Sequence, residues 1–112
     1  MKERKRKMIT AKEAKKLSDN IIKQRENKAL EWAKNELPLI EERINKKIEQ
    51  GEYSAGYCWS AEDFKKVDIT RAEAQRAIVQ ILGKNGLGFR VEIAYNYTTN
   101  GSMGVFLDWE KI

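Results

Sequence analysis

The sequence has no histidine, one cysteine and one proline. Losing histidine removes the commonest general base, most catalytic triads and most zinc sites. The lone Cys58 cannot close an intrachain disulfide, which points to a reducing cytosol as the compartment. Its use as a nucleophile would need an activating base, and the pattern offers none. No apolar run approaches the ~20 residues of a membrane span. The basic first residues also lack the apolar stretch of a secretory signal. Phosphate-cradling glycine loops are missing too. The nearest approach, Gly83-Lys84-Asn85-Gly86-Leu87-Gly88, joins a helical pattern to a strand pattern. Phosphate loops instead follow a strand and open a helix, and the GxxG clamp of KH domains joins two helices. A helix stop followed by a tight turn accounts for this stretch. Together these absences argue against an enzyme, a metal and a cofactor.

What remains is charged and patterned. A chain of 112 residues, 35% charged and 41% hydrophobic, fits one small soluble domain with a modest core. The net charge of +5 is unevenly placed. Lys2, Arg4, Lys5, Arg6 and Lys7 against Glu3 leave residues 1–9 at +4, so the body from Thr10 onward carries about +1. A nucleic-acid-binding domain would carry its charge on a folded face. The five tail cations therefore support nucleic-acid contact only as an alternative, electrostatic and lost in salt.

Capping boxes mark the helix starts. Thr10-Ala11-Lys12-Glu13 opens a stripe at Ala14, Leu17, Ile21, Ala29, Trp32 and Ala33 that resumes at Leu37, Ile40, Ile44 and Ile48. Gly51 stands where a left-handed stop is wanted. Pro38 falls inside, so residues 10–50 form one long helix, kinked or straight, or a helix pair. The stripe is too long for the remaining ~60 residues to cover, which predicts self-association through this helix. Tyr53 to Trp59 alternate as a strand, Ser60-Ala61-Glu62-Asp63 opens a short helix ending near Val67, and Thr70-Arg71-Ala72-Glu73 opens another that stops at Asn85-Gly86. Strands Phe89–Tyr97 and Ser102–Trp109 close the chain. A three-residue loop, Thr99-Asn100-Gly101, pairs Tyr97 with Met103, Tyr95 with Val105, Ile93 with Leu107 and Val91 with Trp109. The expectation is an α+β domain over residues 10–112 behind a basic flexible tail. Residues 52–112 make a β-α-β-β unit with a three-stranded mixed sheet, the last strand in the middle and antiparallel to both others.

Two side-chain sets could carry chemistry. Glu92, Asp108 and Glu110 could gather at the open end of the hairpin, with Glu92 opposite Asp108, although exposed acids beside Arg90 and Lys111 read equally as surface. The aromatic set Tyr53, Tyr57, Trp59, Tyr95, Tyr97 and Trp109 is mainly core. Those near the sheet edge, beside Arg90 and Asn100, could stack on a flat ligand.

The opening Met8-Ile9-Thr10-Ala11-Lys12-Glu13-Ala14, the long charged helix and the hairpin ending Leu107-Asp108-Trp109 resemble small accessory proteins of bacteriophages and Gram-positive mobile elements. Some small oligomeric phage proteins are anti-defence sponges that trap nucleotide messengers between subunits. That resemblance implies a non-enzymatic oligomer in the host cytoplasm, binding a small anionic nucleotide. No binding residue carries over from it. From the residues, Arg71, Lys84 and Arg90 are assigned to phosphates, Tyr57, Trp59 and Tyr95 to bases and Asn100 to hydrogen bonding, with backbone amides near Thr70 offered to an anion. Nucleic acid, or a host enzyme inhibited through the long helix, are the alternative partners. A membrane is not expected.

Overall fold

The computed structural model describes residues 8–95 and 101–112, so the basic residues 2–7, Tyr97 and the turn residues Thr99 and Asn100 lie outside the described chain. Each helix opens on the capping box that its sequence spells. Thr10 Oγ1 accepts the Glu13 amide at 3.1 Å while Glu13 accepts the Thr10 amide at 2.9 Å. Ser60 with Asp63 and Thr70 with Glu73 repeat the exchange. Helix α1 (Ala11–Glu49), strand β1 (Ser54–Trp59), helices α2 (Ala61–Lys66) and α3 (Arg71–Leu82), and strands β2 (Arg90–Ala94) and β3 (Met103–Asp108) follow in order. The fold is α+β.

Helix α1 runs unbroken through Pro38. A proline inside a helix costs about 3 kcal/mol, through a lost donor and a crowded carbonyl four residues back. Here Pro38 and Lys34 both lie exposed, where water reaches the freed carbonyl. Their neighbours Leu37 and Ile40 pack on the body and hold the helix across the defect. Gly51, at φ 78°, then turns the chain toward β1.

Strand β3 lies between β1 and β2 and is antiparallel to both, so the sheet is mixed only in that its two outer strands run the same way. The β2–β3 register corrects the sequence expectation by two residues. Val91 pairs with Leu107, Ile93 with Val105 and Glu92 with Phe106. A two-residue slip keeps every side chain on its face, so apolar alternation cannot distinguish the two registers. Charge can. The expected register set Glu92 against Asp108, two acids directly opposite, whereas the observed one sets Arg90 against Asp108. Strand β2 accordingly ends at Ala94 rather than Tyr97, and β3 spans 103–108 rather than 102–109.

The core forms where α1 and α3 cover one face of the sheet. Val105, Leu107 and Met103 of β3 are buried with Ile78 and Leu82 of α3 and Ile40 of α1. Trp32 of α1 meets Trp59 and Phe64 edge-to-face at 5.2 and 5.6 Å. The Trp59 indole N–H donates to Glu36 at 2.7 Å, which satisfies its one donor.

Candidate functional site

Helix α3 has 12 residues, about 18 Å of length against about 58 Å for the 39 residues of α1. The two run side by side in the same sense. Arg25 meets Glu73 at the start of α3, and Ile40 lies with Leu82 at its end. Nothing of comparable size stands opposite residues 11–24. Among the described residues, Arg25 is the first α1 side chain to hydrogen-bond with another element. The stripe of Ala14, Leu17 and Ile21 therefore continues past the body into solvent, where Leu17, Ile21 and Ile22 are 56%, 54% and 52% exposed. The expectation that this apolar stripe outruns its cover rests on these residues. From Ala29 onward the helix is packed; before it, bare.

Where the bare half meets the body, an ionic clamp holds α1 to α3. The Arg25 guanidinium donates to both Glu73 carboxylate oxygens, at 2.6 and 3.0 Å, and to the Asp68 carbonyl at 3.1 Å. Lys28 reaches Asp68 at 3.1 Å. Arg25 is the main reason that the Glu73 carboxyl is held down to about 2; the Thr70 amide adds to the effect and burial opposes it. Lys28 likewise lowers the Asp68 carboxyl. The clamp fills the helix N-terminus that the sequence offered to an anion. The Thr70 and Glu73 amides are already taken by the reciprocal cap, and a carboxylate sits where a phosphate would go.

The predicted ligand residues fall at two ends of the sheet. At one end the Arg71 guanidinium lies over the Tyr95 ring, 4.1 Å from its centroid, and donates to the Ser102 carbonyl. The Tyr95 hydroxyl donates to Gln75. Trp59 shares this end but is buried in the core, with Tyr57 half-buried edge-to-face against it at 5.0 Å. Burial is the chief cause that pushes the Tyr57 phenol up. Lys84 and Arg90 stand at the other end, beyond the length of α3. Asn100 lies outside the described residues. The seven positions thus supply one close pair, Arg71 with Tyr95, rather than one pocket.

The uncovered sheet face carries Ser54, Gly56 and Cys58, then Asp108, Phe106 and Gly104, then Arg90, Glu92 and Ala94. Phe106 is 54% exposed and leans over Gly56, where an added Cβ would come within 3.1 Å of the ring. Beside it, Cys58, Gly104 and Ala94 floor a depression of about 360 Å³ whose rim includes Tyr95. A second groove of about 560 Å³ runs between Leu37 and Ile44 of α1 and Leu87 and Phe89 of the loop after α3. Glu92 no longer faces Asp108, and among the described residues no three acidic or cysteine side chains are placed to hold a metal ion.

Sequence reasoning missed Arg25, Glu36, Phe64 and Phe106. Phe106 was the findable one, since it alternates out of phase with Val105 and Leu107. No helix among the described residues is long and apolar enough to cross a membrane. No protein-family model, characterised protein or solved structure matches the chain.

Proposed function

We propose that the protein is a non-enzymatic binding protein that acts as an oligomer joined through α1. One observation carries this reading: Leu17, Ile21 and Ile22 stand about half exposed on a helical arm that its own body leaves uncovered. Neighbouring apolar side chains held in water mark association surfaces, and a two-fold dimer uses one such patch twice. In the finer reading the oligomer sequesters a small anionic nucleotide, as do some of the phage proteins that the layout resembles. Support for it comes from Arg71 and Tyr95 at the rim of the depression over Gly104. Lys84 and Arg90 stand too far off to contribute.

Native mass spectrometry of the purified protein, first gentle and then denaturing, tests both readings. A dimer or larger assembly is the expected result, and a retained nucleotide-sized mass supports the finer reading. A clean monomer at tens of micromolar removes the proposal altogether. An oligomer without bound mass, and without thermal stabilisation by added cyclic or ADP-ribose-type nucleotides, removes the finer reading alone.

A further inference from the structure

We infer that the partner on α1 is a second copy of this chain lying antiparallel, with Ile21 of each copy against Leu39 of the other. The inference rests on the oligomeric reading above and sets its geometry. At about 100° per residue, Leu17, Ile21 and Leu39 fall within about 40° of one another, roughly a quarter-turn from the face that Ala29, Ala33 and Ile40 present to the body. Leu39 is 48% exposed although it belongs to the packed half. One line of half-exposed apolar side chains therefore runs along α1 beside its packed face. Setting Ile21 against the partner's Leu39 centres the crossing near Leu30 and makes both contacts twice by symmetry.

Two further observations select this pairing. The first is charge. Lys12, Lys15, Lys16 and Lys23 against Glu13 and Asp19 give residues 11–24 a net +2. Glu36, Glu41, Glu42 and Glu49 against Arg43, Lys46 and Lys47 give residues 36–49 a net −1. Antiparallel helices lay the positive arm beside the negative segment, whereas parallel helices lay the two positive arms together. The second is area. Arms alone, about 21 Å long and about 10 Å wide, offer a footprint of roughly 200 Å² per partner; pairing along the whole helix offers roughly 600 Å². Stable interfaces bury about 800 Å² a side, so arm-to-arm contact falls far short.

Cross-linking in a Cys58→Ser background tests the arrangement. Positions 21 and 39 lie about 27 Å apart along one helix, so no disulfide forms within a chain. Mild oxidation of the Ile21→Cys, Leu39→Cys double variant is expected to give a covalent dimer on a non-reducing gel, and neither single variant should. Cross-linking by Ile21→Cys alone overturns the antiparallel arrangement and leaves the oligomer standing. So does a dimer by mass that none of the three variants cross-links. A monomer by mass sinks both readings. Sedimentation of Leu39→Glu is independent of any oxidation. At least a tenfold weaker dimer is expected, equal to the effect of Ile21→Glu; an unchanged dimer overturns the inference.

Discussion

The two halves of α1 are made of the same kinds of residue and end in different states. Residues 11–24 and residues 25–47 are both rich in Lys, Glu, Ala, Leu and Ile, so helix propensity does not separate them. In the second half Ala29, Trp32, Ala33 and Ile40 are buried; in the first, Leu17, Ile21 and Ile22 remain half in water. The difference is what stands opposite. Helix α3 starts at Arg71, its Glu73 meets Arg25, and the body reaches no further. A segment of 14 residues is marginal as an isolated helix. Here it extends a helix already nucleated by packing, with Thr10 closing its far end. A periodic pattern tells which side of a helix is apolar. It does not tell how far the rest of the chain extends along it.

The largest expected effect breaks the packed half. Trp32→Ala removes a ring that touches both Trp59 and Phe64, and should cost about 3–5 kcal/mol in a urea titration. Leu17→Ala, equally apolar in sequence, should stay within about 0.5 kcal/mol at protein concentrations too low for association. If Leu17→Ala costs as much as Trp32→Ala in dilute protein, the arm is packed on its own body and the contrast between the halves is wrong.

The clamp at the boundary gives the next effect, and it depends on pH. Glu73→Ala removes both the reciprocal cap on Thr70 and the partner of Arg25, so about 1–3 kcal/mol should be lost at pH 7. The carboxyl has a folded value of about 2 against an ordinary 4.5. A depressed carboxyl binds fewer protons folded than unfolded, so its contribution is full above pH 4.5 and fades as pH falls toward about 2. Urea midpoints of the wild type and Glu73→Ala should therefore differ most at neutral pH and converge by about pH 2. Equal gaps at pH 7 and pH 2.5 would show that the carboxylate charge does no holding there. The arm's own Lys15–Asp19 pair, with both side chains largely in water, makes the control. Asp19→Asn should leave the midpoint unmoved.

Much of the fold was legible because its signals are local. The three capping boxes, the left-handed Gly51 and the central place of the last strand all follow from short spacings or from the burial of one sheet face. The β2–β3 register was not, because two registers bury the same side chains and differ in a single cross-strand charge pair, Arg90 with Asp108. Continuity through Pro38 was illegible for a related reason, since it depends on Leu37 and Ile40 being held by residues far away in sequence. The candidate site divides the same way. That α1 has more apolar stripe than a small body can cover was readable from length alone. Which part stays bare required knowing where α3 begins. The ligand set scattered because residue type was used without position: Trp59 went to the core, and Arg71 and Lys84 to opposite ends of one helix.

The smallest effect is the sharpest test of the two-state helix, because it puts one motif in both settings. Thr10 and Thr70 make the same reciprocal cap, each hydroxyl accepting a glutamate amide at 3.1 Å. Thr70→Ala weakens the first turn of a helix packed into the core, so its cost of about 1 kcal/mol should appear in global unfolding. Thr10→Ala frees the end of the arm, where opening exposes little that was buried. Its cost should appear only locally, as faster hydrogen exchange at the amides of residues 13–18, with the urea midpoint unchanged. If pairing with a second copy covers the arm, that local acceleration should shrink as protein concentration rises, while the Thr70→Ala loss stays the same size. Acceleration independent of concentration would mean that the arm stays bare in the assembly, and that α1 joins its partner, if at all, through some other face.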